Sequence, residues 1–436
     1  SKAPPLFPLG LAPAQPARAA KDGQHHAAYP MTGECTMTQQ MQEAYIVAAT
    51  RTPVGKAPRG MLRHTRPDDM LAHVIRSALA QVPSLDVHLV DDVVAGCAFP
   101  EGEQGLNMAR ISALLAGLPV TVGGMTINRY CASGINAVQI AADRIRTGEA
   151  DVMIAAGAES MSLIPMMGNK VAINPAFFSQ DDHLAIAYGM GLTAEKVAQQ
   201  WGVSRADQDA FAVESHRRAL AAIQSGAFAA EISPLDVTLR TPNLDTHTVE
   251  LTTRRLDTDE GPRAETTLEG LAKLKTVFHA KGSVTAGNSS QMSDGAGAVV
   301  LVSERILKQC GLTPLARYAG FAVKGVPPAI MGIGPKEAIP AVLKAAGVSQ
   351  QQVKWMELNE AFAAQALAVM RDLGLDPAVV NPHGGAIALG HPLGATGAIR
   401  TATLIHGLRQ RGETGYGMVT MCVGTGMGAA GLLEVL

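Results

Sequence analysis

The chain has 436 residues, a formal net charge of −2 and many small residues, including 45 glycines. This length can bury a large core in two or three domains, and the glycine content favours close packing of helices on sheets. The near-neutral charge argues against nucleic-acid binding, and no apolar run reaches the roughly 18 residues that a membrane span requires.

The N-terminal segment, residues 1–42, differs from the rest of the chain. Residues 1–30 are rich in proline and alanine, and Asp22 is their one acidic residue. The prolines oppose the amphipathic helix of a transit peptide. We therefore predict a disordered or cloning-derived tail on a cytoplasmic protein. The alternative is a targeting segment, which would send the chain to the mitochondrial or peroxisomal matrix.

The five cysteines are scattered along the chain, at positions 35, 97, 131, 310 and 422. They show neither CxxC nor Cys/His ligand spacing. This pattern predicts no metal site and no disulfide framework, and it fits a reducing compartment.

Strand and helix patterns alternate through the first part of the chain. Such alternation predicts α/β layers, in which helices cover the faces of a sheet. Strand patterns cover residues 44–49, 91–96, 125–128 and 151–157, and helical patterns cover residues 67–80, 107–116 and the segment after Cys131.

The alternation stops between about residues 160 and 277. Ser204 and Asp207 have the spacing of a capping box that begins a helix extending to Gly226, whereas residues 238–263 are polar and indicate irregular structure. Long inserted segments often supply ligand contacts, so we predict that residues 161–277 form a loop domain that covers a site.

The α/β pattern returns with strands near 295–302, 355–359 and 416–420, and helices around Val342 and over 360–373. A weak internal repeat is also present, because Ala132-Ser-Gly and Ala395-Thr-Gly are each followed by a helix, a Gly-Glu pair and a strand. We predict two similar halves, residues 43–160 with 278–308 and residues 309–436, whose equivalent loops meet at a shared site.

Cys131 stands between a strand and a helix, before Ala132, Ser133 and Gly134. Backbone N–H groups and the helix dipole at such a position stabilise an anion, which predicts a nucleophilic thiol of lowered pKa. The alternative from this context alone is a small buried residue at a strand end.

His391 lies between Gly390 and Pro392, where a ligand and the backbone can come close to the ring. An imidazole in this position can take the proton of a thiol. The alternative is an ordinary loop histidine, which is how we interpret His383.

Cys422 follows a strand and precedes Gly424 and Gly426, whose N–H groups can form an oxyanion hole. A second thiol can act as an acid or a base, and Asn359 can fix a water or a carbonyl oxygen. Glu360 either orients the site or is an acidic residue at a helix start.

Four motifs, in this order and spacing, resemble those of the thiolase superfamily, and the likeness covers about residues 43–436. The resemblance implies the layered αβαβα thiolase fold, an α/β fold of two similar halves with an inserted loop domain. The motifs are Cys131-Ala-Ser-Gly134, Asn359-Glu-Ala-Phe-Ala363, Gly384-Gly-Ala-Ile-Ala-Leu-Gly-His-Pro392 and Cys422-Val-Gly-Thr-Gly426.

The resemblance also implies the catalytic roles. Cys131 would carry the acyl group, His391 would activate it, and Cys422 would exchange protons with acetyl-CoA and CoA. Asn359, through a water, and His391 would form one oxyanion hole, and the N–H groups of Cys131 and Gly424 the other. No cofactor is implied, since coenzyme A is a substrate.

Substrate contacts carry over from the same resemblance. Without it, Phe278 and Met331 fit plain core positions and Arg263 fits a solvated charge. The implied contacts are Arg263 for the nucleotide, Phe278 for the adenine side, Ser290 for the pantetheine arm, Met331 for the acyl site, and also Ala286 and Phe362.

The loop segments 165–167 and 188–191 lack the histidines that short-chain biosynthetic members often carry. This difference favours a degradative 3-ketoacyl-CoA thiolase of fatty-acid β-oxidation. The alternatives are an acetoacetyl-CoA thiolase, a condensing synthase and an inactive scaffolding subunit. We expect acyl-CoA and CoA as ligands, a homodimer or homotetramer, and a β-oxidation hydratase/dehydrogenase subunit as a further partner.

Overall fold

The computed structural model of the chain describes residues 41–179 and 184–436. The tail predicted over residues 1–42 therefore lies almost wholly outside the described residues. The strands are β1 (Ala44–Arg51), β2 (Gly55–Lys56), β3 (Asp92–Gly96), β4 (Met125–Ile127), β5 (Val152–Ser160), β6 (Leu235–Asn243), β7 (Thr248–Leu256), β8 (Ser293–Ser303), β9 (Ala316–Gly325), β10 (Val353–Leu358), β11 (Gly415–Val423) and β12 (Met427–Val435).

The helices agree closely with the sequence patterns in the α/β parts of the chain. They are α1 (Pro67–Ala80), α2 (Met108–Leu115), α3 (Ser133–Arg146), α4 (Met190–Gln200), α5 (Arg205–Gln224), α6 (Leu268–Ala272), α7 (Glu304–Gln309), α8 (Gly334–Ala346), α9 (Ala363–Leu373), α10 (Ala386–Leu389) and α11 (Thr396–Gln410).

Among the described residues, ten strands form one sheet in the order β10-β11-β12-β9-β1-β8-β5-β3-β4, with β2 on β8. Its two halves repeat one topology. In the first half β3 and β5 are parallel, and β5, β8 and β1 are successively antiparallel. In the second half β10 and β11 are parallel, and β11, β12 and β9 are successively antiparallel. The predicted α/β fold of two similar halves is confirmed.

Helices and sheet halves stack in five layers. Because strand side chains alternate between faces, Ile154 of β5 packs into the core under α1 and α2, whereas its neighbour Met153 packs into the core around α3 and α11. That central core also holds Val419 of β11, so α3 and α11 lie between the two halves of the sheet. The outer layer of the second half is α8 and α9, represented by Val342 and Val369.

The two central helices, α3 and α11, touch through their backbones at their first turns. A Cβ on Gly134 would lie 2.6 Å from the N atom of Ala398, and one on Gly397 would lie 2.0 Å from the N atom of Ile135. Only glycine permits such an approach. These turns directly follow Cys131 and the His391 loop, so the glycine contact sets how close the two segments come.

The insertion between β5 and β8 differs from the prediction in one respect. Residues 238–263 are largely a hairpin of β6 and β7, so the prediction of irregular structure was wrong. Nearly all of β7 is exposed, and its apolar alternation is limited to Val249 and Leu251, which is too short to indicate a strand by itself. The predicted capping box of α5 is present, with both Ser204 and Asp207 hydrogen bonds made.

Candidate active site

Cys131 lies on a tight turn between β4 and α3. The turn, Tyr130–Ala132, begins with a positive φ of 44° at Tyr130, which is unusual for an aromatic residue. The Tyr130 N–H donates to Asn128 Oδ1 at 2.8 Å, and the Ser133 hydroxyl donates to the Tyr130 carbonyl at 2.7 Å. The turn therefore holds the partly buried Cys131 immediately before the helix.

The environment of the Cys131 thiol contradicts one expectation. Burial raises the pKa of Cys131 to about 12, although N–H groups including that of Gly424 act in the opposite direction. The predicted lowering of the pKa was therefore wrong for the free site, because desolvation of the thiolate outweighs the helix start. Cys131 is a neutral thiol that needs a base.

His391 is buried and held on three sides. Its Nδ1 lies 2.6 Å from Thr396 Oγ1, and its backbone N–H donates to Ser293 Oγ at 3.1 Å. The Asn359 amide nitrogen donates to Nε2 at 3.3 Å, so we assign the ring hydrogen to Nδ1. Burial, helped by the positive charge of Arg400, lowers the pKa of His391 to about 3. The ring is thus neutral, and its Nε2 lone pair, which accepts the long Asn359 hydrogen bond in the free site, can act as a base once that bond is released.

Asn359 follows β10 at the carboxyl end of the sheet. Leu358 pairs with Thr420 of β11, and the Asn359 N–H donates to the Thr420 carbonyl at 2.9 Å. The adjacent parallel strands therefore bring Asn359 and Cys422 to the same sheet edge. Asn359 Oδ1 is buried and has no hydrogen-bond partner among the described residues. A buried carbonyl of this kind is suited to a polar group of a ligand or to a water.

Glu360 is not in a helix, because α9 begins only at Ala363, so the interpretation as a helix-start acid was wrong. Its buried carboxylate accepts hydrogen bonds from Ser215 Oγ at 2.6 Å, Asn381 Nδ2 at 2.9 Å and the Ile387 N–H at 3.2 Å. Burial raises its pKa. Glu360 thus joins the insertion to the end of β10 and to the loop before His391.

Cys422 lies at the end of β11 in a small apolar cluster. Burial raises its pKa, and the charge of an ionised Cys131 raises it further. The turn that carries Cys131 packs against β11, so the two thiols belong to neighbouring segments. Gly424, two residues on, faces the Tyr130 ring at 3.8 Å for a hypothetical Cβ. The buried members of the cluster are Ala194, Val284, Met331, Ala361, Phe362 and Cys422, with Met190 packed against them.

The residues predicted to contact coenzyme A divide into two groups. Met331 and Phe362 line the Cys422 cluster, the half-exposed Phe278 packs edge-on against Phe362 at 6.0 Å, and the Ser290 N–H donates to the Ala361 carbonyl. Arg263 and Ala286 are instead exposed and outside this cluster. The Arg263 N–H donates to Nδ1 of the buried His216 at 3.1 Å.

Three residues that hold the site were not predicted from the sequence. Thr396 belongs to the Gly394-Ala-Thr-Gly397 segment, so its position next to His391 was the available signal. Ser293 and Ser215 gave no such signal, since each contacts the site from a distant part of the chain.

Within residues 41–179 and 184–436, no group of three or more His, Cys, Asp or Glu side chains is arranged to hold a metal. In the same residues, no helix combines the length and apolar character needed to cross a bilayer.

Comparisons with known proteins match nearly the whole described chain. The family models "Thiolase, N-terminal domain" and "Thiolase, C-terminal domain" match residues 44–305 and 312–435. A 3-ketoacyl-CoA thiolase of Bacillus subtilis is 50% identical over 395 residues, which are 91% of this chain and all of the relative. The peroxisomal 3-ketoacyl-CoA thiolase A of Rattus norvegicus is 45% identical, over 90% of this chain and 88% of the relative.

Two solved structures are similar throughout. An acetyl-CoA acetyltransferase of Bacillus anthracis superposes with a TM-score of 0.81 at 38% identity, over 92% of this chain and 100% of that one. Human mitochondrial 3-ketoacyl-CoA thiolase in complex with CoA gives 0.80 at 37% identity, over 91% and 99%. With two matching family models and these relatives, the chain belongs to the thiolase family.

Proposed function

We propose that this protein cleaves 3-oxoacyl-CoA with CoA, giving acetyl-CoA and an acyl-CoA that is two carbons shorter. The observation that carries the proposal is the arrangement of two thiols, a neutral imidazole and an amide. Asn359 lies 3.3 Å from His391 Nε2, and the turn that carries Cys131 packs against the Leu393–Ala395 turn and against β11, the strand of Cys422. The bacterial and peroxisomal relatives named 3-ketoacyl-CoA thiolase support the same reaction.

In the first half-reaction His391 Nε2 takes the proton of Cys131, and the thiolate attacks the 3-oxo carbon. The tetrahedral intermediate then breaks the bond between C2 and C3. The acyl group stays on Cys131, and the electron pair leaves with C2 as the acetyl-CoA carbanion. Cys422 gives its proton to that carbon and becomes a thiolate. In this scheme the N–H groups of Cys131 and Gly424 would stabilise one oxyanion.

In the second half-reaction the Cys422 thiolate takes the proton of an incoming CoA thiol. The CoA thiolate attacks the acyl carbon, and Cys131 leaves and recovers its proton from His391. His391, with Asn359 acting through a water, stabilises the other oxyanion. The raised pKa of Cys422 suits this cycle, since this thiol is protonated when the acetyl-CoA carbanion must receive a proton.

Coenzyme A is a substrate in this scheme, and we propose no cofactor. The cluster of Met331, Phe362 and Phe278 would receive the acyl group and the pantetheine arm, with Ser290 beside it. Arg263 and Ala286, exposed outside the cluster, would meet the nucleotide end. We also propose a cytoplasmic location, with the mitochondrial or peroxisomal matrix as the alternative.

We further propose a homo-oligomer, a homodimer or homotetramer. Strand β4 lies at the end of the described sheet and carries an open edge. Near it, Leu106, Val120 and Met125 are exposed by 90%, 80% and 38%. An unpaired strand edge with apolar neighbours is a surface that a second copy can cover. A hydratase/dehydrogenase subunit of β-oxidation is the further partner that we propose.

The test of the mechanism is covalent labelling. We expect radioactive acetyl-CoA to label Cys131, Cys131→Ala to abolish both label and turnover, and Cys422→Ser to keep the label but lose thiolysis. Label on any other cysteine would contradict the assignment. An unlabelled protein would instead favour the inactive scaffolding subunit.

A chain-length profile separates the closest alternative. The structural neighbour named acetyl-CoA acetyltransferase makes an acetoacetyl-CoA thiolase the second candidate. Thiolysis should be measured with 3-oxoacyl-CoAs of increasing length. Activity restricted to the four-carbon substrate would exclude the broad-chain enzyme, and reaction with malonyl substrates would point to a condensing synthase.

A further inference from the structure

Glu159, at the end of β5, is a buried carboxylate surrounded by donors. Its side chain is 1% exposed. Oε2 accepts hydrogen bonds from the N–H groups of Ala98 at 2.7 Å and Gly394 at 2.9 Å. Oε1 accepts from Gln104 Nε2 at 2.5 Å and from the Phe99 N–H at 3.3 Å. Burial raises the pKa of Glu159, and these four N–H groups, which stabilise the ionised form, act in the opposite direction.

A path of hydrogen bonds connects this carboxylate to the Cys131 turn. The Ala98 N–H binds Glu159, and the Ala98 carbonyl accepts from Asn128 Nδ2 at 2.9 Å. Asn128 Oδ1 in turn accepts from the Tyr130 N–H at 2.8 Å. Glu159 is therefore connected to the residue before the nucleophile through three hydrogen bonds, by way of Ala98 and Asn128.

The same carboxylate is also connected to the His391 loop. Gly394 lies in the turn Leu393–Ala395, which packs against the Cys131 turn, and the Leu393 N–H donates to the His391 carbonyl at 2.9 Å. A Cβ on Gly394 would lie 2.7 Å from the Ala98 N atom and 2.8 Å from Glu159 Oε2. The loop that carries His391 is thus seated directly on the carboxylate.

The internal repeat shows why a carboxylate lies here. Gly157 of β5 pairs with the last residue of β3, and Thr420 of β11 pairs with the last residue of β10, so these two residues are equivalent. Glu159 and Cys422 each lie two residues further along the chain and therefore correspond to each other. The middle residues of the turns before α3 and α11 are Cys131 and Gly394, which correspond to each other. The second, symmetry-related site thus holds a glycine in place of the nucleophile and Glu159 in place of the second thiol.

We propose that Glu159 is a positioning residue that fixes the distance between the Cys131 turn and the His391 loop by binding both. The proposal rests on the proposed function for its effect on rate, and on the geometry above for its effect on structure. A glutamine cannot replace the carboxylate, because both oxygens face donors and an amide NH₂ would meet one of them in either orientation.

The test compares Glu159→Gln with Glu231→Gln. Glu231 is equally buried, at 1%, and its carboxylate binds Arg51 and Thr403 rather than either turn. We expect Glu159→Gln to slow acylation of Cys131 by acetyl-CoA about 100-fold, the effect of a misplacement near 1 Å, while KM for CoA changes by less than about threefold. Glu231→Gln should lose stability, since it removes one of the two carboxylates paired with the buried Arg51, and keep its acylation rate per folded molecule.

The variant Glu159→Asp separates the effect of the charge from the effect of the side-chain length. It keeps the charge and shortens the reach by about 1.5 Å, so it should recover only part of the rate. Full recovery would show that charge alone matters and would overturn the positioning role. Equal acylation by Glu159→Gln and Glu231→Gln, or a change confined to KM, would overturn it as well.

Crystal structures of the two glutamine variants decide the proposal without reference to activity. Glu159→Gln should change the Cα separation of Cys131 and His391 by about 0.5 Å or more, the tolerance of a catalytic geometry, whereas Glu231→Gln should not. An unchanged separation would refute the role of Glu159. A wild-type protein that acetyl-CoA does not label would instead refute only the proposed thiolase reaction.

Discussion

Replacing Thr396 by valine removes one hydroxyl from behind the His391 ring and leaves the side-chain volume almost unchanged. Thr396 Oγ1 lies 2.6 Å from Nδ1, and both residues are buried. The hydroxyl accepts the Nδ1 hydrogen, which leaves the lone pair of the ring on Nε2, the nitrogen that acts as the base. In Thr396→Val the Nδ1 hydrogen has no acceptor, so the tautomer that carries the hydrogen on Nε2 becomes the more stable one.

The structure sets the size of the effect. A buried N–H that loses its partner costs about 1–3 kcal/mol. The other tautomer is accessible in the variant, because Asn359 Oδ1 has no partner of its own and can accept an Nε2 hydrogen after the amide rotates. We therefore expect the productive tautomer to fall to a minor population, and turnover to fall roughly 10- to 100-fold.

The assay is steady-state thiolysis of a 3-oxoacyl-CoA, combined with thermal unfolding. Thr401→Val is the matched control, since Thr401 is a buried threonine of the same helix whose hydroxyl binds the Gly397 carbonyl and not the site. Thr401→Val should keep its turnover. If Thr396→Val stays within about twofold of the wild type, or if both variants lose activity equally, the tautomer assignment is refuted.

Three further predictions concern protonation and packing. The rate at which iodoacetamide alkylates Cys131, measured on the tryptic peptide that contains it, should rise about tenfold per pH unit from about pH 6 to 10, because the pKa of this thiol is about 12. A rate that reaches a plateau near neutral pH would instead reveal a Cys131–His391 ion pair. Burial raises the pKa of Glu357 from 4.5 to about 7, so the folded state holds a proton that the unfolded state releases between these values. The stability that this proton contributes is lost as pH rises through 7. In urea unfolding, the free energy of unfolding of Glu357→Gln should therefore depend less on pH than that of the wild type, by up to about 3 kcal/mol between about pH 4.5 and 8. Equal pH dependence in both proteins would contradict the raised pKa. Gly397→Ala should destabilise the protein by about 3 kcal/mol or more despite the better helix propensity of alanine, because the added Cβ meets the Ile135 N atom. Gly270→Ala is the control and should be tolerated, since the nearest atom to its added Cβ is Thr267 Oγ1 at 3.2 Å. Similar losses of stability in both variants would exclude a special role for the contact between the two helices.

Much of the layered fold could be predicted because its elements bury one face and repeat. Residues 67–80 form α1 with the predicted bounds, and the repeat of Ala132-Ser-Gly and Ala395-Thr-Gly became two equivalent central helices. The hairpin of β6 and β7 was missed although Leu235, Val237 and Leu239 alternate in β6, because the rest of that strand is polar and β7 is exposed at every residue but Leu256.

The site was predictable to the extent that its residues lie in compact glycine-rich motifs. Its protonation was not, because a sequence shows that Cys131 precedes a helix but does not show how far the thiol is removed from water. The same limit applies to Glu360, whose partners Ser215 and Asn381 come from different segments. The catalytic roles and the coenzyme A contacts stay predictions until the labelling and kinetic tests are made.

The site draws on both halves of the molecule, from Cys131 after β4 to Cys422 at the end of β11. Neither half alone brings a base to the nucleophile, and contacts between such distant segments form late in folding. Recovery of activity after denaturation should therefore lag behind recovery of helical circular dichroism. During synthesis, the Cys131 thiol emerges from the ribosome well before His391, so the nascent chain carries an unactivated cysteine until the second half has folded against the first.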